Sequence, residues 1–226
     1  MISHQHQCIF IHIPKCAGTS IERALGHFAF HRGGRDGQDH RSLRMLQQPL
    51  PIMQAWRNSE NIKEILRREK YRWRRHSNPC NGLQVNPRQY QQYFKFSIVR
   101  NPWDRAYSWY KNATRDPYHR RVLGIDADIP FSDFLQRFIG KGFLRSQLHW
   151  LTNFDGQIAL DHLGRFENLQ EDFVLICDKL GIRNIHLPHA ISGDARDYRQ
   201  AYRQADIELV AQHYQQEIHL LNYQFE

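Results

Sequence analysis

A lysine, a glycine and two hydroxyls crowd into Pro14-Lys15-Cys16-Ala17-Gly18-Thr19-Ser20, directly after the apolar run Cys8-Ile9-Phe10-Ile11-His12-Ile13. Small residues let backbone N–H groups close on an anion, a helix start favours negative charge, and Lys15, Thr19 and Ser20 add donors. The chemistry is that of a phosphate cradle. It is not a Walker A loop, in which the lysine immediately follows the last glycine, because Lys15 precedes Gly18. An ordinary strand-to-helix turn with a solvent-exposed lysine would carry the same letters. A second set lies in Phe96-Ser97-Ile98-Val99-Arg100-Asn101-Pro102-Trp103-Asp104-Arg105-Ala106-Tyr107-Ser108-Trp109-Tyr110. Arg100 stands at a strand's tip, where a guanidinium can fork onto phosphate oxygens, and Ser108 lies two turns into the helix that follows. The plainer alternative makes Asp104 and Arg105 a solvated charge pair and leaves the aromatics to core packing, which Trp103 and Tyr107 serve whatever the function. Among 14 histidines, His12 reads as a core residue of the first strand. His31 and His40 stand in and just past the glycine-rich stretch, and His40 opens a helix. Cys16 has no evident base partner and reads as a loop backbone contact rather than a nucleophile.

These groups need strands to hold them at one edge. Ile9 to Ile13 reads as a buried strand, followed by a helix through Ile21, Glu22 and Leu25 that Thr19 or Ser20 caps and Gly26 ends. Residues 27–37 read as a mobile loop. A helix then uses Leu43, Met45 and Leu46 and stops at Pro49 and Pro51. From Asn58 to Arg75, Ile62, Ile65, Leu66 and Trp73 predict an apolar face, with Arg67, Arg68, Lys70, Arg72, Arg74 and Arg75 mostly elsewhere. That basic side could hold an acidic glycan or another anionic acceptor, or be a solvated face. Tyr93 to Val99 is the second strand; Asn101 caps and Pro102 begins the next helix, which runs to about Asn112. Helices are expected over 130–138 and 142–151, a short strand over 162–166, a helix over 168–180 with Gly181 at its end, and one continuous helix over 206–221. Strands alternating with helices predict an α/β fold, a central mainly parallel sheet flanked by helices, with ligands beyond the strands' C-terminal ends.

The 226 residues suit one α/β domain, and 31 Lys+Arg against 23 Asp+Glu, a formal charge of +8, favour a partner bearing phosphate, sulfate or acidic polymer. No zinc-finger spacing, helix-turn-helix signal or RNP-type strand accompanies the charge, which argues against nucleic acid. The six-residue apolar run near the start is too short to span a membrane and has no signal-peptide cleavage pattern. Four widely spaced cysteines without a C-x-x-C point to reduced thiols and a cytoplasmic setting. No stable membrane anchor is expected.

The two motifs resemble the 5′-phosphosulfate loop and the 3′-phosphate-binding motif of sulfotransferases that use 3′-phosphoadenosine-5′-phosphosulfate (PAPS). The closer likeness is to the branch containing heparan- and chondroitin-type carbohydrate sulfotransferases and their bacterial relatives, whose loop begins with an Ile-Pro-Lys-like turn. Gly164-Arg165-Phe166-Glu167-Asn168-Leu169 with Phe173, Asp197-Tyr198-Arg199 and Asn222-Tyr223-Gln224-Phe225 are similar to further blocks of that branch. The resemblance implies a P-loop-like three-layer fold in which Lys15, Cys16, Ala17, Gly18, Thr19 and Ser20 grip the 5′ end, Arg100 and Ser108 hold the 3′-phosphate, and Tyr198 and Arg199 join the donor site. It implies adenosine 3′,5′-bisphosphate as the product, an acceptor bearing a hydroxyl, a saccharide among the candidates, and no metal. Lys15 is then the residue that stabilises the leaving phosphate. His40 is the expected general base, since relatives place a histidine followed by a helix between the two donor motifs; His31 is second. The competing readings are a P-loop kinase or NTPase, which should show a true Walker A loop and a Mg²⁺-holding aspartate, and a non-catalytic anion- or nucleic-acid-binding module.

Overall fold

The computed structural model describes residues 1–27, 37–183, 187 and 197–225. The chain runs β1 (Ile2–Ser3), β2 (Cys8–Ile11), α1 (Gly18–Ala24), α2 (Leu43–Leu46), α3 (Ile52–Ala55), α4 (Ser59–Arg72), α5 (Pro87–Gln92) and β3 (Phe94–Val99). It continues through α6 (Pro102–Arg115), α7 (Pro117–Leu123), α8 (Phe131–Phe138), α9 (Leu148–Leu151), β4 (His162–Arg165), α10 (Leu169–Lys179), α11 (Gln204–His213) and α12 (Gln215–Leu221). Two compact units emerge: Met1–Val99 with Leu148–Ile191, and Arg100–Gln147 with Ser192–Glu226.

The first unit holds a four-stranded sheet of order β1-β2-β3-β4. β1 is antiparallel to β2, while β2, β3 and β4 are mutually parallel, with Phe10 opposite Phe96 and Phe96 opposite His162. All four β2 residues are buried, the apolar run expected of a strand covered on both faces. Parallel pairing puts the C-terminal ends of β2 and β3 at one edge, where the chain passes into Lys15 on one strand and Arg100 on the next. The expected α/β class with a mainly parallel sheet is what the chain adopts. Gly164 in β4 has a packing reason: a Cβ there would stand 2.7 Å from Ile98 and 2.9 Å from Asp172. Asp172 accepts from the Arg165 backbone N–H (2.7 Å) and pairs with His162 (3.1 Å), locking the corner from β4 into α10.

Several elements differ from expectation. α1 starts at Gly18, so Thr19 and Ser20 lie inside it, and its N-cap is Ala17 in the left-handed region with no side-chain cap. α4 begins where expected, with Asn58 as its N-cap, and ends at Arg72, but it turns over: Asn61 and Glu64 are buried, whereas Leu66 is 65% and Trp73 83% exposed. The reversal has a polar cause. Asn61 donates to the carbonyls of Gln54 (2.8 Å) and Phe154 (3.0 Å) and accepts from Arg44 (3.0 Å), and Glu64 accepts from Ser42 and Arg67. Buried groups satisfied in this way take the inner face from the apolar residues.

In the second unit α6 packs against α7, α8 and α11 around Trp103, Ala106, Trp109, Phe134, Leu135 and Val210. Arg105 is fully buried, donating to the carbonyls of Phe143 (2.9 Å) and Arg145 (2.7 Å), so Asp104 and Arg105 are not a solvated pair. Those bonds also explain why the helix expected over 142–151 is broken, since Arg145 gives its carbonyl to Arg105 instead of a helical ladder. The helix expected over 206–221 divides at Tyr214, whose hydroxyl donates to the Leu144 carbonyl. Asn101 caps α6 through the Trp103 N–H (3.1 Å) and donates to the Gln224 carbonyl (2.8 Å). The Asn222–Phe225 block therefore closes on the start of α6, where Phe225 meets Trp103 edge-on.

Candidate active site

Between β2 and α1 the loop takes a conformation that most residues resist. Lys15 and Ala17 have φ of 70° and 58°, in the left-handed region where non-glycine residues are uncommon and strained. Left-handed residues interleaved among ordinary ones turn successive N–H groups toward one concave side, the arrangement of an anion nest. Lys15, Ala17 and Thr19 are half-buried, while Cys16, Gly18 and Ser20 between them are buried. Among the described residues the N–H groups of Ala17, Gly18 and Thr19 have no hydrogen-bond partner. Cys16 faces inward, its thiol 3.8 Å from the Pro14 carbonyl.

The floor of this loop is His12. Its Nδ1 lies 3.0 Å from Glu22 Oε1, and its ring stacks on Phe10 and sits 4.2 Å, centroid to centroid, from the ring of His40. A Cβ at position 18 would fall 2.0 Å from His12 Cδ2, so only glycine lets the loop rest on the imidazole. Gly18→Ala should destabilise the protein by about 1–3 kcal/mol, the usual cost of overpacking. Thermal denaturation checks this, and an unchanged melting temperature would contradict the contact.

His40 is half-buried, three residues before α2. Its Nδ1 lies 3.1 Å from the His12 carbonyl. A carbonyl can only accept, so Nδ1 carries the proton and Nε2 keeps its lone pair in the neutral ring. Burial, then the neighbouring His12, push the His40 pKa down to about 3, so the neutral form prevails. Nε2 is 3.1 Å from the side-chain amide of Gln38, whose other end is 2.5 Å from Thr19 Oγ1. Turning that amide over, an exchange of two similar groups, lets its NH₂ donate to Nε2 while its oxygen accepts from Thr19. Thr19 of the loop and His40 are thereby joined through one residue. Beneath them Asp39 forks onto Arg41 (2.6 and 2.9 Å) and gives its backbone N–H to Glu22 (3.1 Å). Burial alone would raise the Asp39 pKa, but Arg41 beside it holds it well below the usual carboxylate range. Gln38, Asp39, Arg41 and Glu22 had no signal in the sequence beyond their closeness to His40 and the loop. His31 lies outside the described residues.

The buried groups fix a pH response. Burial pushes His12 down to about 3, as it does His40, and lifts Glu22 to about 7. Unfolded histidines take up protons below about 6.5 that these two refuse when folded, so each contributes stability above that pH and loses it progressively down to about 3. Glu22 works oppositely: folded, it keeps a proton that the unfolded chain releases above its model value of 4.5, so its contribution falls as pH rises from there to about 7. Two histidines outweigh one carboxyl, and acidification from about pH 7 to 5 should cost roughly 1–2 kcal/mol. Melting curves at the two pH values test this; equal or higher stability at pH 5 would refute it.

In the second unit Arg100 forks onto Asp104, Nε to Oδ2 at 2.7 Å and Nη2 to Oδ1 at 2.9 Å. Asp104 and Ser108, four residues apart, share a face of α6, and Arg100 stands two residues before that helix; Ser108 is half-buried. The Arg100 backbone is gripped on both sides by Gln147, whose Oε1 accepts from the Arg100 N–H (2.9 Å) and whose Nε2 donates to its carbonyl (2.8 Å). Glu217, itself buried, accepts from the Gln147 side chain and backbone, both at 2.6 Å. Neither residue was among the expected site groups, because nothing local marks a glutamine 47 positions downstream. Tyr198 and Arg199 lie on a 3-10 turn, Tyr198–Ala201. Tyr198 packs edge-on to Phe225, and Arg199 is largely exposed and bonded to Asp197 (2.5 Å).

A family model described as the sulfotransferase family matches residues 1–224. The chain belongs to the sulfotransferase family. No curated protein and no solved structure gives a match. This sulfotransferase is thus a transferase whose reaction class is sulfuryl transfer to a hydroxyl-bearing acceptor. The P-loop-like α/β architecture fits that membership, and the strained loop at the end of β2 occupies the place where such folds bind anions. A cleft of about 600 Å³ lined by Gln7, Phe94 and Lys179 lies at the opposite, N-terminal edge of the sheet and has no part in this arrangement.

Proposed function

We propose that this sulfotransferase takes its sulfuryl group from PAPS and passes it to a carbohydrate hydroxyl, as one cytoplasmic domain releasing adenosine 3′,5′-bisphosphate. The carrying observation is the loop at the end of β2, where Lys15 and Ala17 are left-handed and the N–H groups of Ala17, Gly18 and Thr19 are not engaged in hydrogen bonds among the described residues. The residues present suit phosphate: amides, Thr19 and Lys15 at one motif, Arg100 and Ser108 at the other. The likeness to the carbohydrate branch supports a sugar acceptor. The thiols of Cys8, Cys16, Cys80 and Cys177, none of them joined in a disulfide, support a reducing compartment. Among the described residues no helix is long and apolar enough to cross a membrane, and no group of three or more acidic, histidine or cysteine side chains gathers as a metal site.

Transfer is an in-line displacement, in which the acceptor oxygen bonds to sulfur as the bond from sulfur to the phosphate oxygen breaks. The protein aligns the two oxygens and stabilises charge on the departing phosphate. Lys15 and the loop amides supply that stabilisation. His40 takes the acceptor's proton on Nε2 once the arriving hydroxyl displaces the Gln38 amide from that lone pair. Asp104 presents the Arg100 fork and yields it to a phosphate of higher charge, while Tyr198 and Arg199 border the same donor.

Calorimetric titration with adenosine 3′,5′-bisphosphate tests the reading. The intact protein should bind, and Arg100→Ala should weaken binding by about 10–100-fold, the worth of a charge-assisted bidentate contact. A wild-type protein that gives no binding heat would remove PAPS as the donor.

A further inference from the structure

Nine large apolar side chains stand exposed among the described residues, and five of them, Ile52, Met53, Trp56, Leu66 and Trp73, fall on α3, α4 and the residues that end them. Exposures of 68% for Ile52, 72% for Trp56 and 83% for both Met53 and Trp73 leave these groups in water, where a contiguous apolar patch marks an interaction surface. The outward positions of α4 are Ser59, Lys63, Leu66 and Lys70, continued by its C-cap Trp73, all exposed and spaced by four, three, four and three residues. They form one stripe about 20 Å long, with the buried Asn61 and Glu64 turned away from it. On α3 the buried Ala55 likewise leaves Ile52, Met53 and Trp56 outward. Residues 52–75 carry eight Arg and Lys against three Glu, a net charge of +5, and Arg72, Arg74 and Arg75 are exposed beside Trp73.

We propose that the outward side of α3 and α4 docks the protein reversibly on an anionic lipid bilayer. Tryptophan settles at the boundary between headgroup and acyl chain, aliphatic side chains enter the first layer of chains, and lysine and arginine lie against acidic headgroups while their stems cover apolar surface. An acidic polysaccharide would use the charges and stack a sugar on a tryptophan, but it gives Ile52, Met53 and Leu66 nothing to bury against. The aliphatic component selects the bilayer.

Sedimentation with vesicles of phosphatidylcholine alone, or with about 30% phosphatidylserine, tests the proposal. Binding should rise at least about tenfold with the anionic lipid, fall in high salt, and shift tryptophan emission to the blue. The exposed substitutions Trp56→Ser and Trp73→Ser together should lose about tenfold in partitioning with unchanged circular dichroism and melting, and Lys70→Glu with Arg74→Glu should abolish the preference for anionic lipid. Retention on heparin without vesicle binding would overturn the proposal in favour of a polyanion. A dimer in sedimentation equilibrium that the serine variants dissociate, again without vesicle binding, would assign the surface to a second copy and overturn it equally.

Discussion

Lys15→Ala should lower kcat by about 10²–10³, the usual loss when a preorganised stabiliser of developing charge is removed. Lys15 is half-buried on a loop whose left-handed backbone holds it in place, so little ordering remains to be done when charge builds on the leaving oxygen. Alanine occupies the left-handed region no worse than lysine does, so the loop conformation should survive and the melting temperature should change little. The loss should fall on kcat more than on donor affinity, because the amides of Ala17, Gly18 and Thr19 remain. Initial rates with labelled PAPS over a range of donor concentrations separate the two. A loss below about tenfold would take Lys15 out of the transition state.

The second large effect belongs to His40. His40→Ala should reduce kcat by about 10²–10⁴, the contribution of a positioned general base. A base whose free pKa is near 3 is neutral but weak. An anion arriving at the neighbouring loop favours the imidazolium and raises it toward the working range. Since kcat/KM reports the free enzyme, the profile should show no fall from His40 as pH drops from 8 to 6, where an unperturbed histidine would titrate. A His40→Ala variant with full turnover would end its candidacy. Loss of activity that glutamine at position 40 restores would assign it a hydrogen-bonding role in place of proton transfer.

Local signals recovered the elements that carry the motifs. The apolar run before Pro14, the aromatic and β-branched stretch Tyr93–Val99, and the Asn101-Pro102 start of α6 each announce themselves within a few residues, and each stands within a residue or two of the expected place. What escaped depends on partners distant in sequence. β1 is two residues long and exists because Ile2 pairs with Ile9. The break between Gly142 and Leu151 depends on Arg105, and the grip on the Arg100 backbone depends on Gln147 and Glu217. α4 was misoriented because Leu66 and Trp73 look like core residues until Asn61 and Glu64 find buried partners. The Lys15 loop was legible as chemistry, but its link to His40 runs through Gln38, a residue type that draws no attention by itself.

The imidazole packed under Gly18 also bears on how the loop would take up a ligand. A loop set from below by a side chain, itself pinned by Glu22 and stacked on Phe10, adopts its curvature whether or not an anion is above it. Donor capture then costs little conformational entropy, and the strain at Lys15 and Ala17 is already met by the folding of the strand beneath.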